Sequence, residues 1–322
     1  MPIDIAGGGN RLERYNPEIY HPMFMEEFRD KLFMNRLCNR DYEGTIKKCG
    51  EKVWLRKLPK GKTFRYRKGM VLPHVELEAE ADSFTVNRAR GWAFAIDVLD
   101  KELTDMKGFT SDVSGQFDKQ LAEDIEEEFF ADVYARCSVE NMGEGAGHKS
   151  ANYDLGSVAN PLGIYNTSQT AAHKSAAADA IAVAAAALEE QPGGMGEDPY
   201  IVIPVCMGLR IQTGELKKAN ESGDSTTLMR KGVTNIGTIA GLTVFTSNLI
   251  NVVTQTVGGV ANTKCYNILF GDRKGITYAD QIVKSEVKPI ENGFGNKFQA
   301  LHVYDWDSVQ PTRIGAIYAY MG

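Results

Sequence analysis

Val113, Phe117, Leu121, Ile125, Phe129 and Val133 place an apolar side chain at every fourth position. Four steps overshoot one helical turn, so the pattern predicts a helix whose buried face drifts slowly around its axis. A helix over 111–137 would be roughly 40 Å long, more than a compact domain of this size needs. A second, alanine-rich helix is expected over 168–191, with Ser168 or Thr170 to cap its start and Pro192-Gly193-Gly194 to end it. Strand character appears at 53–58 and 63–67, where Phe64 and Tyr66 alternate with Arg65 and Arg67, and Pro59-Lys60-Gly61-Lys62 supplies a turn between them. The expectation is a projecting β-hairpin. Further strand-like runs lie at 83–96, 200–206, 234–246, 267–270, 279–290, 298–304 and 314–320. Gly7-Gly8-Gly9, Asn16-Pro17 and His21-Pro22 interrupt regular structure near the start, so an extended arm leading to a short helix at about 26–37 is expected there. The glycine-rich stretch 141–166 reads as a loop or boundary.

Charge sharpens this picture. Residues 46–68 hold ten Lys or Arg against one Glu, a net of +9, whereas 97–136 hold twelve acidic and four basic residues, a net of -8. The whole chain of 322 residues carries -6, which argues against a dedicated nucleic-acid or membrane-surface binder. Its 43% hydrophobic and 24% charged residues are the mixture of a chain that buries a core. The first twenty residues lack the charged and apolar regions of a signal peptide, and the most apolar stretch, 171–188, contains His173, Lys174 and Asp179, so a soluble protein is expected. Five widely spaced cysteines without a CxxC pair suggest free thiols rather than a zinc cluster or disulfide framework.

Candidate chemistry is thin. Gly143-Glu144-Gly145-Ala146-Gly147-His148 follows a helix rather than a strand and lacks the Lys-Ser/Thr of a phosphate loop, so a flexible linker is expected. His21, His74, His148, His173 and His302 form no HExxH, and no Ser or Cys sits in a GxSxG elbow. The acidic run Glu123, Asp124, Glu126, Glu127, Glu128 reads as a solvated or partner-facing helix surface before a cation site.

In the order of its parts (arm, basic hairpin, strand, long acidic helix, mixed α/β half) the chain resembles the major capsid proteins of tailed bacteriophages with the Hong Kong 97 fold. Residues 230–249, RKGVTNIGTIAGLTVFTSNL, are similar to that family's glycine-flanked strand, with Leu242 in place of the usual aromatic. Tyr42-Glu43-Gly44 with Gly50-Glu51-Lys52-Val53, and Ala279-Asp280-Gln281 running to the strand 314–319, are similar as well.

The resemblance implies an α+β capsid fold: an N-terminal arm (1–45), an E-loop (46–82), a peripheral domain (83–159) with the spine helix 111–137, and an axial domain (160–275). The chain would return to the peripheral domain at 276–310 and end in an axial strand, 311–322. It implies a shell protein without catalytic residues, cofactor or metal, assembled in the host cytoplasm into a virion capsid. Its partners would be itself in hexamers and pentamers, a scaffolding protein, a portal, a decoration protein in some shells, and packaged double-stranded DNA held without sequence preference. No membrane partner is implied. From the charge asymmetry, inter-subunit contact is expected from Trp54, Lys57, Lys62, Phe64, Arg65 and Arg67 of the E-loop to Glu123, Asp124, Glu126, Glu127 and Glu128 of a neighbour's helix. Two rival readings stay open from sequence: an encapsulin-type compartment of the same fold, and a soluble α/β enzyme.

Overall fold

The computed structural model describes residues 34–40, 52–57, 63–71, 80–98, 109–167, 172–214, 237–291 and 293–322. Residues 1–33 and 41–45 of the expected arm, with its glycines, Lys62, Ser168, Thr170 and the start of the capsid-like segment 230–249 lie outside the described residues, as do the side chains of Trp54 and Lys57.

A helical turn, α1 (Met34–Leu37), precedes strands β1 (Lys52–Lys57), β2 (Glu80–Thr85) and β3 (Arg88–Asp97). The long helix α2 (Phe109–Val133) follows, continued by a 3-10 turn at Tyr134–Arg136 before Cys137 turns extended. Then come β4 (Leu162–Tyr165), β5 (Lys174–Ala176), α3 (Ala177–Glu189), β6 (Pro199–Pro204), α4 (Val205–Thr213), β7 (Gly237–Ile239) and β8 (Leu242–Ser247). The chain ends with β9 (Val252–Val257), β10 (Val260–Asp272), β11 (Ile276–Pro289), β12 (Gly295–Ser308) and β13 (Ile314–Met321).

These strands make three sheets. The largest runs β5-β4-β13-β10-β6-β8-β7, with β9 also paired to β10. A second sheet, β11-β12-β3, joins strands from opposite ends of the chain, with Phe94 opposite Phe298 and Arg90 opposite His302. The third is the pair β1-β2.

Strand alternation places two cores on the two faces of the large sheet. Ile201, Ile203, Ile268, Phe270, Ile317 and Ala319 face α3 and α4. Residues of the opposite parity in the same strands, Tyr200, Val202, Leu269, Ile314 and Ala316, face Ile125, Phe129, Phe130 and Val133 of α2. A one-residue slip in β6, β10 or β13 would exchange the two sets, so both faces specify the register. In α3 the buried side chains are five alanines with Ile181 and Leu188, which brings the helix backbone close to the sheet.

Helix α2 follows its sequence pattern. Val113, Phe117 and Leu121 are partly or fully exposed, whereas Ile125, Phe129 and Val133 are buried, so the N-terminal half projects beyond the main core. There Phe117 stacks on Trp92 and Phe94 with ring centroids 5.7 and 5.2 Å away.

Four expectations are corrected. First, residues 63–67 form no strand, and β1 pairs instead with β2, Lys52 opposite Thr85 and Lys57 opposite Glu80. The four-residue turn would have set Arg56 against Arg65, a like-charge cross-strand pair, whereas β2 offers Glu80 and Asp82. Second, α3 starts at Ala177, without a side-chain cap, because Lys174–Ala176 is drawn into parallel pairing with β4. Third, the run 200–206 ends at Pro204, where the ladder loses a donor and α4 begins. Fourth, 143–148 is a bound turn rather than a linker. Ala146 is buried and exchanges backbone hydrogen bonds with Tyr153, and Gly147 N–H donates to the Glu140 carbonyl at 2.8 Å. Among the described residues no helix is long and apolar enough to cross a membrane.

Candidate assembly surface

Between β1 and β2 runs a segment that the described residues do not cover. Residues 63–71 are exposed throughout, including Phe64, Arg65, Arg67 and Met70, with Tyr66 at 67% and Val71 at 89%. Four exposed hydrophobic side chains, Phe64, Tyr66, Met70 and Val71, beside Arg65, Arg67 and Lys68 make a sticky, basic surface, a composition that marks an interaction site. Its root is small. Phe84, paired with Val53 near the end of the ladder, and Val86 just beyond it are buried with Ala279 and Val303 in a cluster separate from both main cores.

The acidic helix is divided among several tasks. Glu126 is only 3% exposed and accepts a hydrogen bond from the Met34 N–H at 3.1 Å, which ties α1 to α2. Asp124 pairs with Arg90 at 3.0 Å. Glu128 receives Arg88 at 2.6 Å, Arg90 at 3.3 Å and the Tyr304 hydroxyl at 2.7 Å. Glu123 is half-buried, and Glu127 is exposed. The structure thus brings Asp124 and Glu128 to arginines of their own chain and leaves Glu127 as the most accessible carboxylate of the run.

Arg88 and Arg90 were not among the sequence candidates. They lie on the face of β3 that turns toward α2, and the alternation RARGWAFAID was the available signal. Arg88 also reaches Asp132 at 2.9 Å and Asp305 at 3.3 Å, with its guanidinium 3.9 Å from the centroid of the Trp306 ring. Trp306 Nε1 donates to Asp132 at 2.9 Å, and Arg136 bridges Asp132 at 3.0 Å and Asp307 at 2.6 Å. Together these groups clamp the C-terminal half of α2 to the β11-β12-β3 sheet. Burial and the bond to Glu128 push the Tyr304 phenol up to about 12.

Asp132 makes the clamp sensitive to acid. Burial favours its neutral form, but the Trp306 hydrogen bond and the Arg136 and Arg88 charges outweigh this and hold its carboxyl below the usual range. A depressed folded-state pKa contributes stability that is complete above the unfolded value of about 3.9 and is lost as pH falls through the lower folded value. The melting temperature of Asp132→Asn should therefore lie below wild type at neutral pH, and the gap should close as pH drops below about 4. A gap independent of pH would contradict this role.

The remaining candidates have structural occupations. His148 Nδ1 lies 2.9 Å from Glu140, and His173 Nδ1 lies 2.9 Å from Asp154. His302 stacks on Tyr304 with centroids 5.8 Å apart. Cys38, Cys137, Cys206 and Cys265 are free thiols. Burial pushes the Cys137 thiol up to about 12, far from a reactive thiolate. Among the described residues no three His, Cys, Asp or Glu side chains gather as a metal-binding set.

No family model matches the chain, and no curated protein matches its sequence. Solved phage structures do match its fold over nearly the full length. The capsid of the cyanophage P-SCSP1u is 12% identical, with 100% of this chain and 97% of that one covered at a TM-score of 0.67. Mycobacterium phage Che8 gives 19% identity, 93% and 96% coverage and a TM-score of 0.63. The mature capsid of bacteriophage PhiM1 gives 14%, 94% and 91%, and 0.61. The architecture is accordingly an α+β fold of the phage-capsid type. It agrees with the Hong Kong 97-type fold that the sequence resembles.

Proposed function

We propose that this chain is the major capsid protein of a tailed phage, assembling in pentamers and hexamers into the icosahedral shell around the genome. The observation that carries the reading is the end-to-end match to phage capsid structures. The uncovered basic and aromatic segment 63–71 agrees with it, because a lone subunit has no use for such a surface. Its work is association, repeated by symmetry, rather than turnover. In this reading α2 with the β11-β12-β3 sheet forms the peripheral part and the large sheet the axial part, with a scaffolding protein and a portal as helpers. Packaged DNA is held weakly and without sequence preference, as suits a net acidic chain.

The segment 63–71 is proposed to lie on the acidic helix of an adjacent subunit, with Glu127 as the accessible carboxylate and Asp124 and Glu128 shared with Arg90 and Arg88. Exposed ion pairs contribute about 0.2–1 kcal/mol each, so burial of Phe64 and Tyr66 supplies most of the hold, and charge sets approach and register. The purified chain should form shells or rings visible by electron microscopy. Arg65→Glu with Arg67→Glu should leave its circular dichroism unchanged and block the shells, and Glu127→Lys should restore them in part. Stable monomers of the wild type across a wide range of concentration and salt would remove the capsid reading. Normal assembly of the double variant at low salt, where charge is least screened, would remove this contact alone.

A further inference from the structure

Helix α3 runs into a row of acceptors: Glu189 closes it, Glu190 caps it and Gln191 follows. The last turn carries no basic residue, although the carbonyl end of a helix favours a cation. These three residues line a cavity of about 570 Å³, within the range of small-molecule sites, whose less polar walls are Tyr153, Ala186 and Pro192. His148 and Lys149 complete the lining, with the His148 ring held by Glu140 and Lys149 exposed.

Gln191 lines this cavity although it is only 4% exposed. Its amide is held in one orientation. Fully buried Asn141 commits its Nδ2 protons to the Thr312 and Ile314 carbonyls at 2.7 and 3.2 Å, so its Oδ1 accepts from Gln191 Nε2 at 2.8 Å. Gln191 Oε1 is left without a donor among the described residues. Buried acceptors are normally satisfied, so an orphan in a cavity lining marks a place for a donor. Glu189 is exposed and likewise has no hydrogen bond or ion pair among the described residues. Glu190 instead builds the wall, its Oε2 accepting from the N–H groups of Lys149 and Ser150 and from the Ser150 hydroxyl, each at 3.1 Å.

We propose that this cavity binds the primary ammonium group of a small aliphatic amine, with Gln191 Oε1 and the Glu189 carboxylate as acceptors and Tyr153, Ala186 and Pro192 against the alkyl chain. The site belongs to one chain, so the inference does not depend on the shell reading. An ammonium brings the donors that these two acceptors lack, and its bond to a carboxylate is charge-assisted. An anion would meet two carboxylates. A guanidinium is best served by a bidentate carboxylate, and Glu190 Oε2 is already engaged by three donors. A metal ion asks for a larger ligand set, and among the described residues no three His, Cys, Asp or Glu side chains supply one.

The test is calorimetric titration of the purified chain with n-butylammonium chloride and, at equal ionic strength, with tetramethylammonium chloride, which has the same charge and no N–H. Butylammonium should saturate one site per chain and bind about tenfold more tightly than tetramethylammonium, because only it can donate. Glu189→Gln should weaken butylammonium about threefold and leave the melting temperature unchanged, since the carboxylate is exposed. Gln191→Met removes the orphan acceptor but also the donor to Asn141, so its melting temperature should fall. Measured where that variant is folded, its preference for butylammonium over tetramethylammonium should be lost, which a purely structural role of Gln191 would not produce. Equal affinity of the wild type for the two cations, or a preference that survives Gln191→Met, would overturn the proposal. So would absence of saturable binding to the wild type; if Lys149→Met then bound butylammonium, the acceptors would be assigned to the Lys149 ammonium of the same chain.

Discussion

Replacing Trp306 by alanine is expected to destabilise the subunit by about 3–5 kcal/mol, the range for removing a fully buried large aromatic. The side chain is buried between helix and sheet, with Phe129 edge-on at 5.5 Å, Tyr304 stacked at 5.9 Å and Arg88 over its face. Its loss leaves a cavity and takes from Asp132 the indole hydrogen bond that helps keep it ionised. Trp306→Phe, which retains a ring but not the N–H, should recover most of the packing while leaving Asp132 short of a donor, and should cost about 1–3 kcal/mol. Denaturant unfolding of dispersed subunits measures both. A loss below about 1 kcal/mol for the alanine variant would show that the clamp is not what holds α2 to the sheet.

Gly156→Ala is expected to be comparably damaging for a different reason. Gly156 has φ +74°, a region that costs an L-residue roughly 1–2 kcal/mol. A Cβ there would also collide with the Tyr318 carbonyl oxygen and come within 2.7 Å of the Leu162 nitrogen. Both are backbone atoms of strands in the large sheet, so neither can swing aside, and overpacking of this kind adds about 1–3 kcal/mol. Gly69 provides the comparison. It has φ +84°, but a Cβ at that position would meet nothing within 4 Å, so Gly69→Ala should show the backbone cost alone. Equal stability losses in the two variants would mean that the close approach at Gly156 contributes nothing.

The sequence was most legible where one periodicity ran for many residues. The fourfold apolar repeat of α2 located a 25-residue helix to within four residues at either end, and the uninterrupted apolar run IGAIYAYM located the last strand. It was least legible where partners decide. Whether 63–67 or 80–85 returns along β1 depends on cross-strand charge, and a turn signature at Pro59–Lys62 does not report it. β5 and α3 divide an apolar run that reads as one helix until β4 is present to pair with Lys174–Ala176. α4 has only nine residues, three of them β-branched, directly after a strand. The acidic run was visible as charge, but its allocation was not. Arg88 and Arg90 fall in a segment whose strand character was plain, and only the sheet shows that they point at Asp124 and Glu128.

The alanine layer of α3 has an entropic consequence. Alanine has no side-chain rotamers to lose on folding, whereas a leucine or methionine at the same place would lose freedom worth up to about 2 kcal/mol and could settle in more than one arrangement. The interface of Ala177, Ala180, Ala184, Ala185 and Ala187 with the large sheet therefore has very few microstates. Two molecules of this chain have little opportunity to differ there. If the chain is the shell subunit proposed above, such uniformity keeps small angular errors from accumulating as the shell closes on itself.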